Sequence, residues 1–401
     1  MKTHTLRIMV ISPNFAPYSG VGGIRMTSLV AYLVRQSYSV TVVSSHPDRW
    51  NENQRNSKVP SGIRSIWIKH KDNSFFNASS LFKKAVFAEL TLHPYDFVLC
   101  SMDPYFEMSW LPSIFQKYGV PYGLEFRDLC AASTWLYLNS FWFGLGFEIV
   151  KKCYFKTREK RCISSARFVV AVTPQDTERL KRIYPTYADK MKMITNGYDD
   201  QRLLSSGAIA VSTIVPPRMG TLSIAIFGKF SLYYRKYAEL LLKACNDLLE
   251  RGMSVRIVHI GDEEQNEADL LHKTGFPKSN YINTGLVDYA TGIALIEQQS
   301  IGVIVYKAPT GYGTKIFDYM YANKPIVAIC PLDCALANLV MQFENGFICN
   351  TSIEIEIILE RIYEEKIIRL GSPEQIAPYS RTIQNKKYDE LIKKTLLEEN
   401  K

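Results

Sequence analysis

Short apolar runs alternate with amphipathic segments along almost the whole chain. The first repeat has an apolar strand at 6–11, a glycine-containing loop at 12–23, an amphipathic helix at 24–36 and a second apolar strand at 39–44. Apolar runs of this length that alternate with helices are typical of buried parallel strands joined by crossover helices. The pattern therefore predicts an α/β protein with doubly wound parallel sheets.

The alternation is interrupted between residues 203 and 220. This stretch contains consecutive prolines together with Ser and Gly, and it has neither helical nor strand periodicity. Because a chain of 401 residues is too long for one typical domain, we interpret the stretch as a linker. Two domains at 1–205 and 206–379 are expected, with the carboxyl ends of their strands facing a shared cleft. The tail at 385–398 predicts one more helix that packs back on the chain.

The most informative stretch is YKAPTGYGTKIFDYMYANKPIVAI, residues 306–329. It predicts a strand end, a glycine-containing loop, a short helix and a new strand. A glycine-rich turn that leads into a helix leaves backbone N–H groups for an anion, and Lys315 lies in the first turn. Asp318 follows one turn later on the same face, where a carboxylate suits sugar hydroxyls. An ordinary βαβ crossover explains the same pattern without a ligand.

The glycines after the first strand, Gly20, Gly22 and Gly23, have the spacing G-x-G-G. The dinucleotide fingerprint G-x-G-x-x-G is therefore absent. These glycines suit a close approach of the backbone to a ligand, with Arg25 in the first turn of the next helix. A flexible surface loop is the alternative interpretation.

A polar sequence, Glu-Phe-Arg-Asp, ends the predicted strand at 121–126. Functional groups of open α/β sheets gather at the carboxyl ends of strands, so Glu125, Arg127 and Asp128 are candidate site residues. The alternative is an ion pair of Arg127 with Asp128 or Glu125 that only shapes the turn.

The net charge of +9 favours anionic partners such as phosphorylated ligands or acidic lipid surfaces. Nucleic acid is disfavoured, because outside 134–161 the basic residues are spread rather than gathered with base-stacking aromatics.

Eight cysteines in a chain of this length indicate reduced core thiols rather than a disulfide framework. Cys330 and Cys334 have no nearby histidine or second cysteine pair, so no zinc site is expected. The N-terminus runs directly into a strand, and no signal peptide is predicted.

Residues 129–147 carry no charge but include several polar and glycine positions that are unsuited to a spanning helix. Aromatic residues are frequent there, and a basic run follows at 151–161. Aromatics next to basic residues are typical of elements that lie on anionic lipid, so 134–161 predicts a peripheral contact with the inner face of the cell membrane by a cytoplasmic protein. A core or interdomain helix pair with a solvated basic face is the alternative.

Several segments occur in an order that resembles the retaining glycosyltransferases of family 4, which have the GT-B fold. They are SPNFAPYSGVGGIR, EFRDL, AVTPQDTERL, ITNGYD, FGKFSLYYRKYAELLLKA, HIGDEE and YGTKIFDYMYANKPIVA. The chain is most similar to the transferases of bacterial surface-polysaccharide assembly, such as those for O-antigen or capsule. The resemblance implies two Rossmann-like domains and a final helix, within 380–401, that returns to the first domain.

The resemblance also implies roles for individual residues. The positions implied to bind the donor are Gly22, Gly23, Lys229, Arg235, Lys236, Gly313, Thr314 and Asp318. The first two belong to the glycine loop, which also faces the acceptor. Lys229 with either Arg235 or Lys236 forms the basic pair that neutralises the diphosphate, since the spacing is ambiguous by one residue. Gly313 and Thr314 supply helix-start amides.

Other matching positions concern the sugars. Asp318 corresponds to the acid that holds the nucleotide ribose. Thr310 stands where the family has the first acid of its paired-carboxylate motif, which usually contacts the transferred sugar, and Lys315 partly redefines that site. The polar positions implied to lie near the donor sugar or acceptor are Glu125, Arg127 and Asp128.

The implied reaction moves a hexosyl or N-acetylhexosaminyl group from a nucleoside-diphosphate sugar, with UDP preferred, to a saccharide acceptor that is expected to be lipid-linked. No Asp-x-Asp pair is present and no cofactor is expected, so Lys229, Arg235 and the amides at Gly313 would compensate the leaving charge without a metal. One alternative is a sugar-nucleotide epimerase of the same fold, which needs catalytic carboxylates and a histidine. Of the six histidines only His259 is near the site of the second domain, and it resembles a core residue. The other is a catalytically inactive, membrane-associated partner, which the Thr310 substitution suggests.

Overall fold

The computed structural model describes residues 5–55, 57–70, 75–102, 108–129, 144–200, 220–232 and 234–399. The chain divides into two compact units. One comprises Met1–Asn196 with Arg381–Lys401, and the other comprises Gly197–Ser380. The boundary predicted at 205–206 and all but the last residue of the predicted linker lie outside the described residues.

Within its described residues, the first unit contains a seven-stranded parallel sheet of order β3-β2-β1-β4-β5-β6-β7. The strands are β1 Arg7–Ile11, β2 Ser39–Ser45, β3 Ile63–Ile68, β4 Phe97–Ser101, β5 Tyr122–Phe126, β6 Val169–Ala171 and β7 Met191–Met193. The helices are α1 Val21–Arg35, α2 Phe75–Leu92, α3 Pro112–Tyr118, α4 Gly144–Ser165 and α5 Pro174–Ile183. Thr173 followed by Pro174 predicts an N-cap and a first helical position. Thr173 does cap α5, because its hydroxyl accepts the Asp176 N–H at 3.0 Å.

The described part of the second unit holds a six-stranded parallel sheet of order β10-β9-β8-β11-β12-β13. Its strands are β8 Leu222–Phe227, β9 Val255–Ile260, β10 Tyr281–Asn283, β11 Ile301–Val305, β12 Ile326–Ile329 and β13 Gly346–Cys349. Its helices are α6 Arg235–Glu250, α7 Glu267–Thr274, α8 Tyr289–Glu297, α9 Lys315–Tyr321, α10 Ala335–Val340, α11 Ser352–Glu364 and α12 Pro373–Ile376. The prediction of doubly wound α/β sheets is confirmed.

Each sheet is buried on both faces, which explains its uninterrupted apolar strands. In β1, Met9 and Ile11 belong to one core cluster, whereas Ile8 and Val10 belong to another. The second unit is built in the same way, since neighbouring residues of its central strands belong to two separate core clusters on opposite faces of the sheet. A strand covered by helices on both faces needs apolar side chains at every position, so the sequence shows continuous runs rather than alternation.

The last helix, α13 Arg381–Glu399, belongs to the first unit as the resemblance implied. Its Tyr388 hydroxyl contacts Arg25 of α1 at 2.8 Å. Its Asn385 donates a hydrogen bond to Ser28 of α1 at 3.0 Å. These buried polar contacts fix the helix against α1.

Some element boundaries differ from the predicted ones. The sequence pattern predicts a helix over 263–273 and a strand over 281–286, but the helix begins at Glu267 and the strand ends at Asn283. The strand ends early because the Asn283 side chain accepts the Gly285 N–H at 2.7 Å and Gly285 has a φ of +68°. The sequence pattern also predicts a helix over 104–118. It is observed from Pro112, and residues 103–107 lie outside the described part.

The predicted membrane segment 134–161 is covered only in part. Residues 130–143 lie outside the described residues, and α4 begins at Gly144. Among the described helices, none combines the length and the apolar character needed to cross a bilayer.

Candidate donor site of the second unit

The order of strands in the second sheet reverses between β8 and β11. These two neighbours share register pairs only at Ile301 with Ile224 and at Gly302 with Ala225. In open α/β sheets, ligands bind beyond the carboxyl ends of the strands at such a reversal. The loops that follow the two strands, at 228–234 and 306–314, therefore carry the candidate site.

The side chain of Tyr319 joins β8 to β11 and holds α9 in place. Its hydroxyl accepts the Phe227 N–H at 3.0 Å and lies 3.1 Å from the carbonyl oxygens of Ala225 and Val303. A Cβ on Gly302 would lie 2.5 Å from the Tyr319 ring. Glycine at 302 thus lets the phenol ring reach the diverging strands, which fixes the start of α9 relative to the β8 loop.

The backbone carbonyls of Gly228 and Lys229 are held from two directions. His259 of β9 places Nε2 2.7 Å from the Gly228 oxygen, and Lys315 of α9 donates its Nζ–H to the Lys229 oxygen. Gly228 has a φ of +71°, and a Cβ there would lie 3.1 Å from the Lys315 Cε. Glycine is therefore required at 228 both for the backbone conformation and for the approach of Lys315.

The next amides of the same loop bind the carboxylate of Glu264. Phe230 and Ser231 donate their N–H groups to it at 2.7 Å each, and Leu232 donates at 3.0 Å. Burial alone would raise the pKa of Glu264, but the hydrogen bonds from Ser231 and these amides lower it. Glu264 therefore binds the loop after β8 instead of forming part of α7, which explains the late start of that helix. Glu264 was not among the predicted site residues, although it lies in the HIGDEE segment.

Two lysines predicted to contact the donor, Lys229 and Lys315, lie side by side. Burial lowers the pKa of Lys315 to about 7, Glu264 and Asp318 oppose this, and Lys229 adds to it through charge repulsion. Lys229 is half-buried and pairs with no carboxylate in the described part of the chain. Two cations held this close are stabilised by a bound anion, which a diphosphate supplies.

The two candidates for the second basic residue differ in their surroundings. Arg235 lies 3.1 Å from Glu239 of α6 and also pairs with Asp269 of α7. Both carboxylates already compensate its guanidinium. Lys236 is exposed, and no carboxylate of the described residues pairs with it. Lys236 is therefore a better candidate than Arg235 for the second residue of the basic pair that neutralises the diphosphate.

Asp318, the predicted ribose-binding acid, is 7% exposed and accepts a hydrogen bond from the Tyr289 hydroxyl at 2.5 Å. Gly313 has a φ of +65°, and Thr314 immediately precedes α9. Thr310 is partly exposed in the same loop, which the Ala335 N–H anchors through Pro309 at 2.9 Å. No sequence signal singled out Tyr289, because only the fold brings α8 beside α9.

Gly22 and Gly23 lie inside the first turn of α1, which begins at Val21 rather than at the predicted residue 24. Both glycines are buried. A Cβ on Gly23 would lie 2.6 Å from the Tyr18 carbonyl oxygen. Packing of the preceding loop thus requires glycine at this position, and the predicted contacts of the two glycines with a donor stay a prediction.

Glu125 occupies a different environment from the one predicted. It is 1% exposed, lies 3.0 Å from the Arg25 guanidinium and accepts the Ser101 hydroxyl at 2.8 Å. Arg25 in turn donates to the carbonyl oxygens of Ile194 and Thr195 at 2.6 Å each. A carboxylate enclosed in this way offers no surface to a sugar, so its placement is structural.

Arg127 and Asp128 lie just beyond β5 and contact each other at 3.3 Å. Their side chains are 27% and 63% exposed, so water screens the pair. This is the turn-shaping ion pair that the sequence left open as an alternative. Its exposure also leaves both groups accessible to a ligand, and their catalytic role stays a prediction.

Among the described residues, no group of three or more His, Cys, Asp or Glu side chains could hold a metal ion.

Both units match known glycosyltransferase families. Residues 22–202 match the family described as Glycosyltransferase Family 4, and residues 221–364 match the one described as Glycosyl transferases group 1. Comparison with curated protein sequences gives no match.

Solved structures share the fold along nearly the whole chain. Sucrose-phosphate synthase from Thermosynechococcus elongatus has a TM-score of 0.69 at 15% identity, over 98% of this chain and 99% of that one. HepE from Anabaena, in complex with UDP and glucose, has a TM-score of 0.63 at 16% identity, over 97% and 100%. WaaG, a glycosyltransferase involved in lipopolysaccharide biosynthesis, has a TM-score of 0.61 at 12% identity, over 97% and 98%. Each unit therefore matches a glycosyltransferase domain family, and the chain has the GT-B fold.

Proposed function

We propose that the protein is a retaining transferase that moves a hexosyl or N-acetylhexosaminyl group from a nucleoside-diphosphate sugar to a lipid-linked saccharide in cell-surface polysaccharide synthesis. The observation that carries the proposal is the pair Lys229 and Lys315 at the reversal between β8 and β11. The buried acid Asp318 lies near them, one turn after Lys315 in α9. Cations for a diphosphate and a carboxylate for ribose hydroxyls are the groups that such a donor needs.

The chemistry follows from where charge develops. Cleavage of the sugar–phosphate bond leaves negative charge on the departing diphosphate. In the proposal, Lys229, Lys236 and Lys315 stabilise that charge, and a low-dielectric site would make each of them more effective than in water. The proposed reaction therefore needs no metal ion and no cofactor. In a retaining reaction the departing phosphate accepts the proton of the acceptor hydroxyl.

UDP is the preferred nucleotide in the proposal. The HepE structures hold UDP with glucose and UDP-glucose, and they share this fold. A saccharide acceptor in surface-polysaccharide synthesis is supported by the likeness to WaaG and by the segments quoted above. We also propose that the protein is cytoplasmic and binds the inner membrane surface through 134–161, since Lys156, Lys160 and Arg161 of α4 are exposed.

The test incubates the protein with UDP-glucose, UDP-N-acetylglucosamine and the corresponding ADP and GDP sugars, with and without lipid-linked saccharide. We expect release of nucleoside diphosphate that depends on the acceptor, and a product whose new linkage keeps the anomeric configuration of the donor. Epimer formed without acceptor would contradict the proposal, and so would an inverted linkage.

A second function is favoured by one observation, the neutral Thr310 in place of an acid. The protein would then bind a nucleotide sugar without transferring it, as the inactive partner of another transferase. Donor binding without turnover on any acceptor, together with turnover after Thr310→Glu, would support this second function over the first.

A further inference from the structure

The Tyr289 hydroxyl contacts the acid that is expected to hold the donor ribose. It donates to the Asp318 Oδ1 at 2.5 Å, although 29 positions separate the two residues in the chain. Asp318 is 7% exposed, and Tyr289 is half-buried. A hydrogen bond to a carboxylate is shorter and stronger than one between neutral groups. This contact therefore restricts the orientation of the Asp318 side chain.

The backbone of Asp318 is fixed by the residue that follows it. The Tyr319 hydroxyl binds the three backbone groups of β8 and β11 described above, so the sheet holds this part of α9 in place. The plane of an aspartate carboxylate is less restricted, because the torsion about its terminal sp³–sp² bond has broad minima. A partner of the carboxylate oxygens is needed to fix that plane, and Tyr289 is such a partner.

Tyr289 is itself held at the first position of α8. Asp288 caps this helix, because its carboxylate accepts the Thr291 N–H at 3.0 Å and the Thr291 hydroxyl at 2.5 Å. The Tyr289 ring packs against the Phe227 ring at the end of β8, with 6.3 Å between the ring centroids. A Cβ on Gly292 would lie 2.8 Å from the Phe227 ring, so glycine at 292 lets α8 approach the end of β8. The helix cap and this packing together fix the direction of the hydroxyl.

A hydroxyl can orient a carboxylate and still leave it able to bind a sugar. An ionised carboxylate has about four acceptor positions, and one hydroxyl uses one of them. A hydroxyl is also neutral, so it leaves the negative charge on the acid. A bidentate guanidinium would instead bind both oxygens and neutralise the charge. Tyr289 therefore suits an Asp318 carboxylate that also accepts hydroxyls of a ligand.

The position of Asp318 relative to Lys315 fits a nucleotide. Both residues lie in α9, and three residues of helix advance about 4.5 Å along the axis. In a nucleoside diphosphate, the ribose is bonded to the α-phosphate through its 5′ oxygen. A diphosphate beside Lys315 would therefore bring the ribose hydroxyls close to a carboxylate one turn further along the helix.

We infer that Tyr289 is a positioning residue for Asp318 and that it increases the selectivity of the site for ribonucleotides. Its hydroxyl fixes the carboxylate plane so that Asp318 accepts a ribose hydroxyl of the donor. A deoxyribonucleotide lacks a hydroxyl and loses that hydrogen bond. The inference rests on the proposed function, because it needs a nucleoside-diphosphate sugar beside α9. Tyr289 lies outside the segments that carry the family resemblance, and only the fold brings it to Asp318.

The test compares the binding of UDP, 2′-deoxy-UDP and 3′-deoxy-UDP by calorimetry. We expect the wild-type protein to prefer UDP over at least one deoxy analogue by about tenfold, the effect of one hydrogen bond to a charged acceptor. For Tyr289→Phe, which keeps the ring, the preference should fall to about threefold, because only the affinity for UDP decreases. Tyr363→Phe is the matched control. It removes a hydroxyl of α11 that donates to the Gly220 carbonyl at 3.1 Å, and it should leave the preference unchanged.

A second variant shows whether Tyr289 acts through Asp318. Asp318→Ala should reduce the preference to less than about twofold, and adding Tyr289→Phe should then change nothing further. If a preference survives Asp318→Ala and Tyr289→Phe lowers it, Tyr289 contacts the ribose itself and the positioning role is wrong. Equal losses for UDP and the deoxy analogues in Tyr289→Phe would show a merely structural role and overturn the inference. The preference is a ratio of affinities within one variant, so a general loss of stability does not imitate the expected result.

The two hypotheses fail in different ways. If the wild-type protein binds none of UDP, ADP and GDP, the proposed function fails, and the role of Tyr289 fails with it. If the wild-type protein binds UDP and both deoxy analogues equally well, only the inference about Tyr289 is wrong. The same holds if Tyr289→Phe keeps the full preference for UDP.

Discussion

Each unit has a cation at the carboxyl edge of its sheet, but the two cations are compensated differently. In the first unit, Arg25 contacts Glu125, two carbonyl oxygens and the Tyr388 hydroxyl. In the second unit, Lys315 donates to the neutral carbonyl of Lys229, whose own ammonium pairs with no carboxylate of the described residues. A cation matched by a buried anion stabilises the fold, whereas a lysine without a carboxylate partner, such as Lys229, suits the binding of an anionic ligand.

The largest expected effect concerns the matched cation. Arg25→Met should lower the free energy of unfolding by about 3–5 kcal/mol, because it leaves the Glu125 carboxylate buried without its partner. Chemical denaturation measures the change. Arg127→Met, which removes an exposed pair, should cost at most about 1 kcal/mol. Near-wild-type stability of Arg25→Met would contradict the interpretation that the pair of Arg25 with Glu125 stabilises the fold.

The next effect concerns the lysine without a carboxylate partner. Lys229→Ala should reduce the rate of transfer by about 10²–10³-fold, the loss typical of removing one group that stabilises a developing anion. Its free energy of unfolding should change by less than about 0.5 kcal/mol. Lys243→Ala, on the exposed side of α6, is the control and should leave the rate unchanged. Full activity of Lys229→Ala would show that the phosphate assignment is wrong.

The third prediction uses the pKa of Lys315, which is about 7 without ligand. A bound diphosphate favours the charged amine and raises that pKa, so binding takes up a proton. Affinity is therefore highest below pH 7 and falls by up to about tenfold per pH unit above it, until the pKa of the complex is reached. Titration with UDP-glucose measures this, because its diphosphate keeps a constant charge over the range. Lys315→Met should flatten the profile, and an unchanged slope in that variant would assign the dependence to another group.

The smallest effect separates two neighbouring residues. Lys236→Ala should raise the KM for the donor about fivefold, because no carboxylate of the described residues pairs with Lys236 and its charge is therefore available to the donor. Arg235→Ala should change it less than twofold, since Glu239 and Asp269 already compensate that guanidinium. Steady-state kinetics at fixed acceptor distinguishes the two, and a larger effect of Arg235→Ala would reverse our assignment.

Much of the fold could be predicted because it depends on local pattern. Apolar runs marked the strands, and Thr173 followed by Pro174 marked the start of α5. Boundaries were less accurate where a side chain leaves its own element to bind a distant loop. Glu264 is such a case, because helix periodicity includes it in α7 but three amides of the β8 loop hold it instead.

Within the candidate site, residue type and the glycines before them singled out Lys315 and Asp318, whereas the resemblance to the family singled out Lys229. The sequence did not identify Tyr289 or Glu264, because neither belongs to the segments that supply the cations. It also suggested the same kind of role for Glu125 as for Asp128. The two differ only in the third dimension, where Arg25 encloses one carboxylate and the other stays 63% exposed.

The sequence by itself determined two doubly wound sheets and the residues that follow their strands. Periodicity and residue type are local properties, and they suffice for that. Only the tertiary structure decided which charges are compensated inside a unit and which are left for a ligand. Compensation depends on distances between residues far apart in the chain, such as Arg25 with Glu125.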